Sequence, residues 1–415
     1  MGTSFSQNLT RIEENTMEIT FSNRMKDIKG SAIREIFKLA GDPNVISLAG
    51  GNPAPELFPA KELAEIASKL LTEQPVHSLQ YGVTEGYLPL RQAVMERMQQ
   101  TEQIGRDFDD IVITSGGQQG IELATKCLVN EGDIVIAEEP SFIGALNAFR
   151  SYGAKLIGIP MDADGMNLER LEDVLKTHDN VKLIYTIPTF QNPSAITMSL
   201  EKRRALYELA KRYHVFIIED NPYGELTFDG NKVPTIKSMD TEGWVLYSGS
   251  FSKILSPGMR IGFLIGLKDV IAKIVVAKQV SDVHTPMLTQ LMTYEYLRNY
   301  DIDALIKQMR ACYAHRCGVM LDAIKEYFPA SVSHTTPGGG LFIWCDMGGD
   351  YDTQQVAKMT VKKNVVFVPG ATFMVDMDKP CSAFRLNYST MNDEHIRTGI
   401  RYLGEALKEI MANNA

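Results

Sequence analysis

The chain is 415 residues long, 44% hydrophobic and 22% charged, with a formal net charge of −9; it is too long for one ordinary core, so a soluble globular protein of two structural domains is expected. The negative balance argues against a nucleic-acid partner, which needs a basic face, and no apolar run is long enough to span a bilayer. Five cysteines, Cys127, Cys312, Cys317, Cys345 and Cys381, form no regular framework; they suit free thiols in a reducing compartment, and a cytoplasmic location is expected.

Residues 1 to about 30 read as an arm, polar and mixed in charge, with no signal peptide. Met1-Gly2-Thr3-Ser4-Phe5-Ser6 fits a myristoylation pattern, but no basic cluster adjoins it, so the match reads as chance. A helix is predicted from Ser31 to Ala40, stopped by Gly41. Val45–Ala49 reads as a short strand ending in Gly50-Gly51-Asn52-Pro53, a turn that permits close backbone approach. Gln80–Tyr87 is a glycine-punctuated loop before a helix from Leu88 to Gln99.

Ile111–Thr114 reads as a strand, Ser115–Gly120 as a turn and Ile121–Val129 as a helix. A glycine turn that opens a helix presents free N–H groups and the positive dipole end, a seat for phosphate. The turn lacks the G-x-G-x-x-G spacing, which disfavours a dinucleotide. Gly132–Ile159 reads as one βαβ unit, with Phe142 after its first strand. The next strand, Val181–Thr186, ends in Ile187–Ser194, where Asn192 precedes Pro193 and the bond can be cis.

Val215–Ile218 leads into Glu219, Asp220, Asn221, Pro222 and Tyr223. Open parallel sheets bind ligands at such carboxyl ends, and a buried Asp220 needs a cationic partner. Val245–Tyr247 and Phe263–Ile265 read as strands around Ser248–Gly262. Between them Lys253 sits among Ser250 and Ser252, with Arg260 beyond a Pro-Gly turn. A lysine held between buried strands must be paired or lose its charge. A neutral amine is a nucleophile able to condense with an aldehyde to form a Schiff base. Ser250, Ser252 and Arg260 together suit a phosphate dianion.

Helices are predicted over 270–280, 286–300 and about 306–327, the last linking the two domains. Cys312, His315 and Cys317 fall close together in that run, but further metal ligands are missing and packing is the reading. Strands follow at 341–344, 365–370 and 382–389, then a helix from Glu394 to Ala412. Arg385, in the apolar run Phe384–Asn387, requires a carboxylate partner, either a substrate's or a structural one.

The stretch Tyr247–Gly262, taken with Gly117, Asn192, Asp220 and Arg385, resembles fold-type I pyridoxal-phosphate enzymes. More narrowly it is similar to class I/II aminotransferases of the aminoadipate/kynurenine branch. The likeness runs from about Ile33 to the C-terminus. It implies an α/β fold of the aspartate-aminotransferase type. A large domain holds a mostly parallel central sheet flanked by helices, and a smaller α+β domain accompanies it. The implied division is 1–44 as arm and helix of the small domain, 45–290 as the cofactor-binding domain and 291–415 as the small domain.

The resemblance also implies residue roles. Lys253, Asp220 and Tyr223 are the catalytic set. Gly117, Gln118, Phe142, Asn192, Asp220, Tyr223, Ser250, Ser252, Lys253 and Arg260 hold pyridoxal 5'-phosphate. Phe142 stands where many relatives have tyrosine. Tyr81 reaches the cofactor phosphate of a neighbouring subunit, which implies a homodimer with shared sites. Otherwise Tyr81 is a packing tyrosine. Gly51, Asn192 and Arg385 fix the carboxylate of the amino-acid substrate. No metal site is expected.

The implied reaction moves an amino group from an L-amino acid to a 2-oxo acid, most often 2-oxoglutarate. Two alternatives stand beside it. One is a lyase on the same cofactor, since proton removal is shared. The other is the sensor domain of a transcription regulator, disfavoured because only a short arm precedes the fold. Arg24 and Arg34 are candidates to meet an acidic substrate side chain.

Overall fold

The computed structural model describes residues 21–26 and 44–413. Apart from the short helix Asn23–Lys26, the expected N-terminal arm, the Ser31–Ala40 helix with its Gly41 stop, and Arg34 lie outside the described residues.

The strands in chain order are β1 (Ile46–Ser47), β2 (Asp109–Thr114), β3 (Ile134–Glu139), β4 (Lys155–Asp162), β5 (Gly165–Met166), β6 (Val181–Thr186) and β7 (Phe216–Asp220). They continue with β8 (Val245–Ser250), β9 (Gly262–Leu267), β10 (Ser333–His334), β11 (Phe342–Asp346), β12 (Val365–Val366), β13 (Val368–Pro369) and β14 (Ala383–Asn387). Eight form one sheet in the order β2-β9-β8-β7-β6-β3-β4-β5. Its middle, β8-β7-β6-β3-β4, is parallel throughout. The antiparallel pairings lie at the two ends.

The central strands are nearly continuous buried runs because helices cover both faces. Leu123 and Ala124 of the helix Gly117–Leu128 pack into one core. Leu206 and Ala210 of the helix Leu200–Tyr213 pack into the other. After β3 the chain turns outward to β4, whereas β6, β7 and β8 step the other way. The strand order therefore reverses between β3 and β6, and a crevice opens at their carboxyl ends.

A second, four-stranded sheet, β10-β11-β14-β13, lies within residues 291–415. β1 pairs in parallel with β12, so the segment that follows residue 44 is tied to the C-terminal part. The helix Ile302–Tyr327 begins earlier than the expected start near 306. The Asp301 side chain caps it, accepting from the Ala304 N–H at 2.9 Å.

Three further details differ from expectation. The helix read as starting at Ile121 starts at Gly117, because its glycine turn is already its first turn. The strand read over 45–49 is two residues long. The strand read over 365–370 breaks at Phe367 and passes into a 3-10 turn, Gly370–Phe373. His315 pairs with Asp393, Nε2 to Oδ2 at 2.8 Å, on an exposed face. No helix among the described residues is long and apolar enough to cross a membrane.

Candidate active site

At the carboxyl ends of β3, β6, β7 and β8 lies a cavity of about 480 Å³. Its wall includes Gly51, Gly117, Gln118, Phe142, Asn192, Asp220, Tyr223, Ser250, Ser252, Lys253, Arg260 and Arg385. These are the residues singled out from sequence, with the exception of Tyr81. Tyr81 is 80% exposed, its ring edge-on to His284 at 5.8 Å. Arg24 lies exposed on its short helix, outside the cavity wall.

Lys253 follows β8. Its Nζ donates to the Gly51 carbonyl at 2.7 Å. Burial pushes the amine down to about 8, assisted by the charges of Arg385 and Arg260 and opposed by Asp220. A fraction of it is thus neutral near physiological pH, the form in which an amine is nucleophilic.

Asp220 ends β7. Burial pushes its carboxyl up to about 6, against the Tyr185 hydrogen bond, the Ser248 hydroxyl beside it and the Lys253 charge. The Tyr185 hydroxyl donates to Asp220 Oδ2 at 2.8 Å. Among the described residues the acid has no salt bridge, so a cation from a ligand is the partner that it lacks.

Arg385 projects from β14, where it lies opposite Trp344 of β11. Its Nη1 donates to Asn192 Oδ1 at 2.8 Å and its Nη2 to the Ala49 carbonyl at 2.6 Å. Phe342 and Phe373 flank the guanidinium, with ring centres 4.1 and 4.9 Å from its carbon. Burial lowers it to about 10, and its buried Nε has no hydrogen-bond partner. The structural acid that could have explained a buried arginine is missing among the described residues. A guanidinium on the cavity wall with no acid beside it is one that a carboxylate ligand would satisfy.

The fourth component is an anion seat. The helix Gly117–Leu128 has Gly116 as its N-cap, with φ 81° and no side-chain cap. Its first N–H groups are therefore free for a ligand. Ser250 and Ser252 stand alongside, their hydroxyls 2.9 Å apart. Arg260 Nη2 donates to the Ser115 carbonyl at 2.9 Å. A Cβ on Gly116 would fall 2.2 Å from that Nη2, so glycine here admits the guanidinium.

Phosphate on this seat, a flat ring beside Phe142 and a ring nitrogen at Asp220 together match the chemical parts of pyridoxal phosphate. Asn192 and Tyr223 remain on the same wall. Asn192-Pro193 and Glu139-Pro140 are cis peptides, and both lie on the loops that leave the strand ends.

Sequence reasoning missed Tyr185, Phe342 and Phe373. Tyr185 reads as one more apolar strand residue, and the two phenylalanines come from elements whose approach to β7 is a tertiary fact. A polar atom in a strand that is otherwise buried was the one signal available for Tyr185.

The sequence model of the family "Aminotransferase class I and II" matches residues 43–403. Aromatic-amino-acid aminotransferase 1 of Thermococcus litoralis is 41% identical over 395 residues, covering 94% of each chain. The crystal structure of the multiple substrate aminotransferase of Thermococcus profundus superposes with a TM-score of 0.90 at 39% identity, over 95% of this chain and 98% of that one. LysN, the α-aminoadipate aminotransferase of Thermus thermophilus, was solved with N-(5'-phosphopyridoxyl)-L-leucine. It gives a TM-score of 0.87 at 35% identity, over 95% of this chain and 98% of that one.

Proposed function

This chain belongs to the aminotransferase class I and II family, and on that premise we propose its full reaction: pyridoxal-phosphate-dependent transfer of the amino group of an L-amino acid to a 2-oxo acid, 2-oxoglutarate foremost. One observation carries the reading. A single cavity holds a lysine, an acid and an arginine, all charged groups without ion-pair partners among the described residues, beside an uncapped helix N-terminus.

Gly117, Gln118, Ser250, Ser252 and Arg260 would hold the cofactor phosphate. Phe142 would cover the ring, Asn192 and Tyr223 would meet its phenolic oxygen, and Asp220 would face its nitrogen. Bound there, pyridoxal phosphate supplies an aldehyde for amino groups and a ring that accepts electron density from the substrate α-carbon.

The chain's own residues do the rest. Arg385, with Asn192 and the Gly51 segment, binds the α-carboxylate and orients the α-carbon toward Lys253. With the cofactor bound, Lys253 Nζ would be placed to accept the substrate's α-proton and pass it on as general base and then acid. Asp220 would favour a positive charge on the ring nitrogen. Phe342 and Phe373 exclude water from the guanidinium.

The working unit is a cytoplasmic homodimer with Tyr81 reaching the partner's phosphate seat. Exposed Val76, Leu79, Tyr81 and Val83 support the pairing, as do Val280 and Val283 on the adjoining segment. Apolar side chains exposed together in this way mark an interface.

The test is a half-reaction screen. Holoenzyme is mixed with single amino acids, without acceptor, and the cofactor absorbance is followed. The reading expects loss of the initial band, one 2-oxo acid formed per site and recovery on adding 2-oxoglutarate. Catalytic release of ammonia without acceptor would make the protein a lyase, and an unchanged spectrum with all donors would overturn the reading.

A further inference from the structure

Tyr185 lies beneath the cavity and does not line it. It is fully buried on β6, with its ring edge-on to Phe149 at 5.5 Å. Its hydroxyl points across to β7 and donates to Asp220 Oδ2 at 2.8 Å. That phenol stays protonated, because burial and the adjacent carboxylate hold its pKa well above the ordinary tyrosine value. Ser248, paired in register with Asp220 on β8, lies beside the acid, but its hydroxyl makes no well-formed hydrogen bond. Tyr185 is therefore the one firm side-chain donor on the carboxylate among the described residues.

The geometry also separates the two oxygens. Oδ2 is taken by Tyr185, whereas Oδ1 lies on the side of Gly117, 3.8 Å from where a Cβ on that residue would sit. Gly117 is part of the cavity wall.

We propose that Tyr185 is a positioning residue: by occupying Oδ2 it fixes the rotation of the Asp220 carboxylate and sets how strongly Oδ1 draws the proton of a ligand's ring nitrogen. The proposal rests on the pyridoxal-phosphate reading above. In a buried pair the proton lies nearer whichever partner is the stronger base. A donor on Oδ2 weakens the carboxylate as a base and leaves the proton on the ring.

The experiment uses holoenzyme loaded with cofactor labelled with ¹⁵N in the ring. Tyr185→Phe removes the donor and keeps the ring that packs on Phe149. The ring-nitrogen resonance is expected to move toward that of an unprotonated pyridine. The turnover number falls about 10-fold, and KM for the amino donor stays within about twofold. Incorporation of 3-fluorotyrosine at position 185, a stronger donor of almost the same shape, moves the resonance the opposite way. That arm decides the matter if Tyr185→Phe does not fold.

A resonance that neither substitution moves, or one moved equally by Phe149→Leu, which leaves the hydroxyl in place, overturns the inference. If wild-type protein takes up no pyridoxal phosphate, the functional reading falls, and this inference with it. If it takes up the cofactor but shows no such response, this inference alone falls.

Discussion

Arg385 donates to the side chain of Asn192, 193 positions away, at 2.8 Å, with no acid beside it among the described residues. One residue comes from the second sheet and the other from a loop of the first, so this hydrogen bond joins the two parts of the molecule. A lysine at 385 keeps charge but loses the planar fork and the contact with the rings of Phe342 and Phe373. Arg385→Lys is expected to lower kcat/KM about 100-fold, mostly through KM for the amino donor. Steady-state kinetics with cofactor saturating check it.

The buried amine of Lys253 costs the cofactor-free protein stability at neutral pH. Its ordinary value of 10.5 is lowered to about 8 by folding. Between these limits the unfolded chain holds a proton that the folded chain lacks. Stability therefore falls as pH drops from about 10.5 to about 8 and is level below, a loss of at most about 3 kcal/mol. Apo Lys253→Met should melt several degrees higher than apo wild type at pH 7. The gain should vanish near pH 10.5, as read by calorimetry across pH.

Three buried acids act in a lower window. Folding raises Asp220 from 3.8 to about 6, and Glu138 and Glu219 from 4.5 to about 7, chiefly by burial. Each contributes stability that is present in full below its unfolded value and lost as pH rises through its folded value. Apo protein should therefore melt higher at pH 5 than at pH 8. Pyridoxal phosphate should narrow the difference by giving Asp220 a cationic partner, while the Glu138 and Glu219 share persists. Melting curves with and without cofactor at both pH values check it.

Much of this was legible in sequence, for a physical reason. Lys253, Asp220 and Arg385 are charged residues inside apolar strand-like runs, where charge is costly and must be matched. Gly116 and Gly117 mark a turn where a side chain would strike Arg260 or press on Ser248. What stayed hidden depends on tertiary approach. Tyr185 looks like its apolar neighbours until β6 is set against β7. The strand breaks at Phe367, whose ring packs against Phe384 at 5.2 Å between centres, and local pattern carries no trace of the break. His315 finds its partner 78 residues away, in Asp393.

Shared sites predict complementation. Under the proposed sharing of sites, Lys253→Ala and Tyr81→Ala chains are each expected to be nearly inactive as homodimers. In a hybrid, one site takes Lys253 from one chain and Tyr81 from the other, and the second site lacks both. Co-expression should restore activity to purified hybrids at about half the wild-type level per dimer, one site of two. Val83→Lys, placed on the exposed apolar segment, should shift sedimentation toward a single 46.3 kDa chain and reduce activity in parallel.

The central claim is that the Lys253 amine bonds the aldehyde of pyridoxal phosphate. Borohydride reduction of the holoenzyme, followed by digestion and mass spectrometry, addresses it most directly. The account predicts one phosphopyridoxyl group per chain, on Lys253, and its disappearance when the enzyme is first treated with a productive amino donor. Label on any other lysine, or none on a protein that has taken up the cofactor, would contradict it.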